Sequence, residues 1–574
     1  MKERIGVYIC HCGGNISDYV DVEKVRQAVQ DDEGVVLAKT TVFACSDSNQ
    51  TDMVNDIKEH NLDGVIVSSC SPKLHLTTFR DVTERGELNK YTYVHANIRE
   101  QVSWAHSDDK IGATEKAIHV VKAAIAKSRY AKPLYPNQFE AEKTIAVIGA
   151  GIAGLKAAIS LSDKNSNVVL IEKENRVGGH TATWGSLFMT DERGSELIDR
   201  IYSDLSQREN VFILTGSEVI SSKGSIGNFT LKIRKKPQIT GDPVETMEIN
   251  VGSIVVATGF EHYSPEEGEF AFAQNEAVIT LPNFKQLVDE SSGKVLEYNG
   301  KKIKNIAYVY CVGSRQTEGE NKYCSRYCCT SVIHTAIETK KKFKGIQNIH
   351  LNRGIRTYGK QELLYAESLQ MGDLYLQFND DTPPEIRNEG KKTVVTVKDI
   401  LSAGRELEME VDLVVLVTGM VPRKDQSIGK MLKLPKGRDK FYNEVHMKLR
   451  PVETVIDGIT IAGTCQGPKN ISESVNSALS AATKSFSYVS KGTLETEPIV
   501  AEVDHEVCSW CGKCAEACPF DAIEKQEVNG KEVAVINTSV CKGCGMCTPV
   551  CPVDAIDLIG YTSEEMKSMI EVLA

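Results

Sequence analysis

The chain is 574 residues long, with 41% hydrophobic and 25% charged side chains and a formal charge of −11 from 67 basic and 78 acidic residues. These ordinary values exclude a disordered, collagenous or coiled-coil chain, and an acidic balance spread without long blocks speaks against a nucleic-acid partner. No apolar run approaches the ~20 residues of a membrane span; the longest, at 412–420, reads as a buried strand. The start MKERIGVYICHC enters a strand almost at once without a long apolar stretch, so no signal peptide and a cytoplasmic location are expected. Seventeen cysteines, an odd number and mostly in tight clusters, point to metal binding rather than disulfides.

Residues 1–131 alternate short strands with amphipathic helices. The strand IGVYIC is followed by the helix VEKVRQAV, the strand VVLAKTTV, a helix through DMVNDIKEH and the strand GVIVSSC, and a long helical stretch over roughly 98–130 closes the unit. Cys10 and Cys12 follow the first strand, Cys45 the second and Cys70 the third. In an open parallel sheet ligands collect at the carboxyl ends of the strands, so these four thiols are expected to converge on a metal cluster. The competing reading is four structural thiols. His11, His75 and His95 read as satisfied polar residues. The stretch 131–143, with two prolines, reads as a linker.

A second α/β region spans 143–490. TIAVIGAGIAGLKAAISLS (144–162) is a strand, a glycine turn and a helix. Gly149, Gly151 and Gly154 form G-x-G-x-x-G, where bare glycines let a pyrophosphate approach the backbone at a helix N-terminus. The next strand, in NVVLIEKE, puts Glu172 where a carboxylate can hold ribose hydroxyls. ENRVGG (174–179), SIVVATGF (253–260), LVVLVTGMVPR (413–423) and ITIAGTCQG (459–467) follow in order. This set resembles the flavin disulfide reductases of thioredoxin-reductase type, the alternative being a generic NAD-binding Rossmann domain. The resemblance implies FAD, with Glu172 at its ribose and Gly463 near the isoalloxazine end. Lys173, Gly178, Gly179 and Gly259 belong to the same binding set, and Cys465 is a packing or flavin-environment residue.

Two departures from that type stand out. Where such reductases carry a second glycine fingerprint for NAD(P)H, this chain has IAYVYCVGSRQ (306–316), and there is no C-x-x-C redox pair. Cys311, Cys324, Cys328 and Cys329 stand there instead. Adjacent Cys328 and Cys329 could hardly bridge without strain. Four thiols between a strand end and a helix start read as ligands of a further iron–sulfur cluster in place of the nicotinamide; the plainer reading is four unrelated buried cysteines.

The tail, 499–574, contains CSWCGKCAEACPFDAI (508–523) and CKGCGMCTPVCPVDAI (541–556). Each copy reads C-x2-C-x2-C-x3-C-P, in which the fourth cysteine reaches the other cluster. The expected sets are Cys508, Cys511, Cys514 and Cys551 on one 4Fe-4S cluster and Cys541, Cys544, Cys547 and Cys518 on the other, against zinc as the alternative. The tail resembles a bacterial two-cluster ferredoxin.

CHCGGNI (10–16), CSDSNQ (45–50), SSCSPKLHLTTFR (68–80), the C-x12-C-x3-CC set at 311–329 and GTCQGPKNI (463–471) together resemble the A-type, FAD-bearing subunit of heterodisulfide reductase along essentially the entire chain. The resemblance implies an α/β protein with three parts: an N-terminal α/β cluster-binding domain, a thioredoxin-reductase-like FAD domain and a two-cluster ferredoxin domain. It implies one FAD and four 4Fe-4S clusters, which claims every cysteine except Cys465. The function implied is an electron-transfer hub that converts between paired and single electrons. The partners implied are B- and C-type subunits, an electron-input subunit such as a hydrogenase or formate dehydrogenase, ferredoxin as a further candidate, and a second copy of the chain. Two features depart from the family. Longer members carry an inserted two-cluster ferredoxin domain, and this chain has no such block before residue 508. In members that bifurcate electrons, a lysine five residues after the second adjacent cysteine contacts the flavin; here that position is His334. His334 is therefore the expected flavin contact, and a histidine would make the flavin potential pH-dependent. An electron relay or a modified bifurcation route is favoured. Competing readings are a free-standing NAD(P)H-dependent flavoenzyme similar to the small subunit of glutamate synthase, and a scaffold whose clusters only shape an assembly.

Overall fold

The first strand, Ile5–Cys10, is buried along its whole length, as a central parallel strand covered on both faces must be. In the computed structural model, which describes residues 4–188, 190–236, 245–390 and 392–573, it lies between Val35–Thr41 and Gly64–Ser69. Tyr93–Asn97 completes a four-stranded parallel sheet. The helices Val22–Val29 and Lys110–Tyr130 cover one face and Asp47–Glu59 and Pro72–Arg85 the other. Helix Val22–Val29 buries Val22, Val25 and Val29, one stripe at helical spacing, and Asp21 caps its start by accepting from Lys24 N–H.

The stretch 98–130 is not one helix. Arg99–Ser103 forms a single π turn. The long helix begins only at Lys110, where Asp109 accepts from Gly112 N–H at 2.9 Å. An aspartate satisfies free N–H groups better at a cap than inside a helix, so it starts a new one.

The chain divides into two compact units, 1–139 with 495–574, and 140–494. The tail thus shares a unit with the N-terminal sheet. Its strands Ala501–Val503 and Ile556–Leu558 pair antiparallel, and the final helix Ser563–Leu573 packs along Lys110–Tyr130. Lys127 Nζ there lies 3.2 Å from the Tyr561 ring centre.

The second unit holds two five-stranded parallel sheets. In the first, Ser253–Val256, Ile145–Ile148, Val168–Ile171 and Val211–Leu214 lie side by side, with Ile459–Ile461 at the edge. In the second, Leu413–Thr418, Asn305–Val312, Gln347–Asn352 and Leu374–Gln377 repeat that order, with Val278–Thr280 at the edge. Each half also carries a three-stranded antiparallel meander before its last core strand. The two halves are variants of one nucleotide-binding topology, each with its crevice at the carboxyl end of its central strand.

Candidate functional site

In the first half the central strand Ile145–Ile148 runs into the glycine turn and then the helix Ile152–Ser162. Gly149 has φ +102°, and a Cβ on Gly154 would run into Gly149 O. These two glycines let the turn close on itself. Gly151 is different: a Cβ there meets no protein atom within 4 Å, because it would enter a cavity. Glu172, buried just past the strand Val168–Ile171, accepts from Ala150 N–H at 2.7 Å and Glu174 N–H at 2.9 Å. It braces the turn from inside while lining the same cavity.

The cavity has a volume of about 530 Å³; Gly149, Gly151, Glu172, Lys173, Gly178, Gly179 and Gly259 line it. Gly154, Gly463 and Cys465 do not; they support it from behind. A Cβ on Gly463 would meet Ala153 at 2.7 Å, so this glycine allows its loop to pack against the turn helix. Cys465 is buried, with Sγ 3.2 Å from Ala462 O and 3.3 Å from Val256 O, and burial pushes its thiol pKa up. It is a packing residue.

Residues not anticipated at the cavity include His180, Trp184, Arg423 and Lys469. Lys469 immediately precedes a capping box in which Asn470 accepts from Glu473 N–H and Glu473 accepts from Asn470 N–H. That N-x-x-E spacing after GTCQGPK was the available signal. Burial lowers the Lys469 pKa. The cradle at Gly151, the cation and the helix start fit a dinucleotide with a pyrophosphate and a flavin ring.

His334 is not among the residues lining the cavity. Five residues beyond Cys329 is ~140° round the helix, and its ring lies with Asp191 and Glu338, next to Phe188. The ring is thus grouped with these carboxylates rather than with the residues that line the cavity.

In the second half the central strand Asn305–Val312 ends in a register shift, with Cys311 at φ +62°. Cys328 and Cys329 open the helix Cys328–Lys342, where the helix dipole favours thiolates. Arg326 N–H points at Cys324 Sγ (3.3 Å) and Arg356 N–H at Cys329 Sγ (3.4 Å), while the Arg315 guanidinium approaches Cys311 Sγ at 4.0 Å. Burial, and after it the charges of Cys329, Cys311 and Cys324, raise the Cys328 pKa, so the four thiols sense one another. Cys329 is pushed up to about 12 by burial. Such thiols ionise when a metal takes the proton's place.

The N-terminal thiols are brought together as well. Cys12 N–H and Ala44 N–H donate to Cys10 Sγ, and Arg99, from the π turn, donates to Cys12 Sγ at 3.3 Å. Cys10 senses Cys12 and Cys45. Cys70, raised to about 11 by burial and lowered in part by Arg99, senses Cys12 and Cys10. Arg99, a cation at the thiols, left no sequence signal.

In the tail one small cavity is lined by Cys508, Cys511, Cys514 and Cys551, and another by Cys518, Cys541, Cys544 and Cys547. Ala534, Ala522 and Ala555 N–H groups point at Cys508, Cys518 and Cys551 Sγ. Among the described residues no three thiols lie within 4.8 Å of one another.

Two family patterns match: a pyridine nucleotide-disulphide oxidoreductase domain over residues 143–316 and a 4Fe-4S dicluster domain over 501–558. A thioredoxin reductase from T. acidophilum is similar at 19% identity and TM-score 0.42, covering 60% of this chain and 99% of that one. The second A-type iron-sulfur subunit of the CoB–CoM heterodisulfide reductase from Methanopyrus kandleri is 35% identical, covering 93% of this chain and 92% of the relative. The A-type subunit of the H2:CoB–CoM heterodisulfide,ferredoxin reductase from Methanothermobacter thermautotrophicus is 33% identical, covering 92% and 91%. The alignment to the M. kandleri relative spans 609 positions against 574 residues here, so that relative has segments without counterpart in this chain. Among the described residues no helix is long and apolar enough to cross a membrane. Sharing a third of its residues with these subunits along nine-tenths of its length, and carrying both an FAD-type oxidoreductase domain and an iron–sulfur domain, this chain belongs to the oxidoreductase family of A-type heterodisulfide reductase subunits.

Proposed function

We propose that the chain is the electron-distributing subunit of a heterodisulfide-reductase-type complex, with one FAD and four 4Fe-4S clusters. When bound, FAD exchanges electrons in pairs or singly and the clusters carry single electrons. The observation carrying this reading is the closeness of two sites within the second unit. Phe260 lines the flavin cavity, and its ring centre is 6.5 Å from that of Tyr327, the residue before Cys328. Phe260, Tyr327, Met420 and Phe441 therefore pack as one mainly aromatic cluster next to the cavity and to the helix that opens with Cys328.

The roles of the chain's own groups follow. The glycine turn and the capped helix after Lys469 hold the pyrophosphate and orient the ring. Arg99 and Arg315 offset the charge of the N-terminal and the Cys311/Cys324/Cys328/Cys329 thiolates. Electrons pass to B- and C-type subunits from an input subunit of hydrogenase or formate dehydrogenase type, within a complex containing two copies of the chain. Ferredoxin is a further partner. Without the inserted ferredoxin domain, and with His334 away from the flavin cavity, a relay is favoured over bifurcation.

The test is the anaerobically purified chain mixed with NADH alone. The flavin is expected to stay oxidised and iron to number about sixteen per chain. Rapid bleaching by NADH would favour the free-standing flavoenzyme, and about eight irons would leave only the tail loaded.

A further inference from the structure

One side-chain cluster apart from the flavin cavity and the thiols has the composition of a metal site. His334 is 7% exposed and makes no hydrogen bond among the described residues; its Nε2 stands 4.0 Å from Glu338 Oε1. A largely buried imidazole whose nearest partner is a carboxylate at 4.0 Å lacks a full hydrogen bond, which is unfavourable unless something else satisfies it. Glu338 lies one helical turn on, so both side chains share a face. Asp191, from the flavin half of the unit, completes a triad whose ligand atoms all lie within 4.8 Å of one another.

We propose that Asp191, His334 and Glu338 bind one divalent cation of the zinc class through an imidazole nitrogen and two carboxylate oxygens, with water as the fourth ligand. Bonds of about 2.0–2.2 Å need ligand atoms roughly 3.4 Å apart, so the triad closes by about an ångström. Asp191 is exposed and can supply that movement by changing rotamer. Burial lowers the His334 pKa, which leaves the neutral ring that a metal requires. Lys285 is the opposing charge: its Nζ is 3.3 Å from Ser331 Oγ, and burial draws its pKa down to about 8. Lys341, the other cation acting on the ring, is paired with Glu367 at 2.7 Å, so Asp191 and Glu338 against Lys285 leave a net negative charge for a cation to neutralise. Imidazole with two carboxylates suits zinc and similar divalent ions better than calcium, which takes oxygen ligands alone. The ion would tie the loop carrying Asp191 in the flavin half to the helix that starts with Cys328 and Cys329 in the other half.

The test uses the anaerobically purified, cluster-loaded protein, stripped with EDTA and titrated with Zn2+ by calorimetry while iron, zinc and flavin are quantified. One zinc per chain is expected, with binding weakened at least tenfold in Asp191→Asn and in His334→Ala while iron and flavin stay unchanged. Asp191→Asn alters an exposed residue and decides the matter even where His334→Ala fails to fold. No zinc on the wild type, equal zinc on Asp191→Asn, or zinc taken up only as iron is lost would each overturn the proposal.

Discussion

The two halves of the second unit pose the same backbone problem and solve it with different residues. In both, a central parallel strand ends at a crevice and the next regular element is a helix. In the flavin half, Gly149 takes φ +102° and only residues 149–151 lie between strand and helix. In the other half, Cys311 takes φ +62° and the longer stretch 313–327 separates them. A left-handed cysteine is strained by about 1–3 kcal/mol and persists only where its surroundings demand it. Topology thus supplies a crevice and a helix start, while the residue at the strand end selects what is held there. Bare glycine admits a dinucleotide to the backbone; cysteine offers a ligand.

The largest expected effect breaks the flavin half alone. Gly151→Val fills the cradle that a Cβ would enter, and flavin affinity should fall by at least about a hundredfold with the fold intact, because a Cβ there meets no protein atom within 4 Å. Flavin absorbance after gel filtration measures it, and retained flavin would mean that this turn is not the binding loop. Next, Cys328→Ala should remove about four irons while flavin and tail clusters stay. Iron analysis decides it, and an unchanged count would reduce the second half to a set of buried thiols.

The seam between the halves should show in acid. His262 lies between the cavity residues His180 and Phe260 and the Tyr327 hydroxyl, and burial lowers its pKa from 6.5 to about 3. The folded state refuses a proton that the unfolded state takes up below pH 6.5. Stability is therefore full above that pH and falls by up to about 1.4 kcal/mol per unit as pH drops toward 3. Denaturation midpoints at pH 7 and 5.5 should converge in His262→Gln; an unchanged gap would place the acid sensitivity elsewhere. The smallest effect is electrostatic. Arg315→Gln removes the cation near Cys311, so the midpoint potential of that cluster should move negative by roughly some tens of millivolts, read by redox titration with electron paramagnetic resonance.

Much of the chemistry could be read from local order. Cysteine spacing anticipated the two tail groupings, three thiols of each within seven consecutive residues and the fourth from the other copy. Strand ends located the N-terminal thiols because parallel strands share one carboxyl edge. The helix break before Lys110 was readable in principle from Asp109, an N-cap residue hidden in a run of helical pattern.

Other features arise only when distant segments meet. Arg99 donates to a thiol 87 residues earlier, and Glu172 supports a turn 22 residues before it. His334 illustrates the limit: counting five residues from Cys329 gives its position on the helix, but not that it groups with Asp191, 143 residues away in sequence. The tail, recognisable as a ferredoxin by itself, packs its last helix on Lys110–Tyr130. The sequence alone determined the cysteine spacing and the glycine turn, since these depend on neighbours within a few residues. Which thiols share a site with which arginine, which residues wall the cavity and where His334 faces were decided by tertiary structure, because packing across long sequence separations sets those directions.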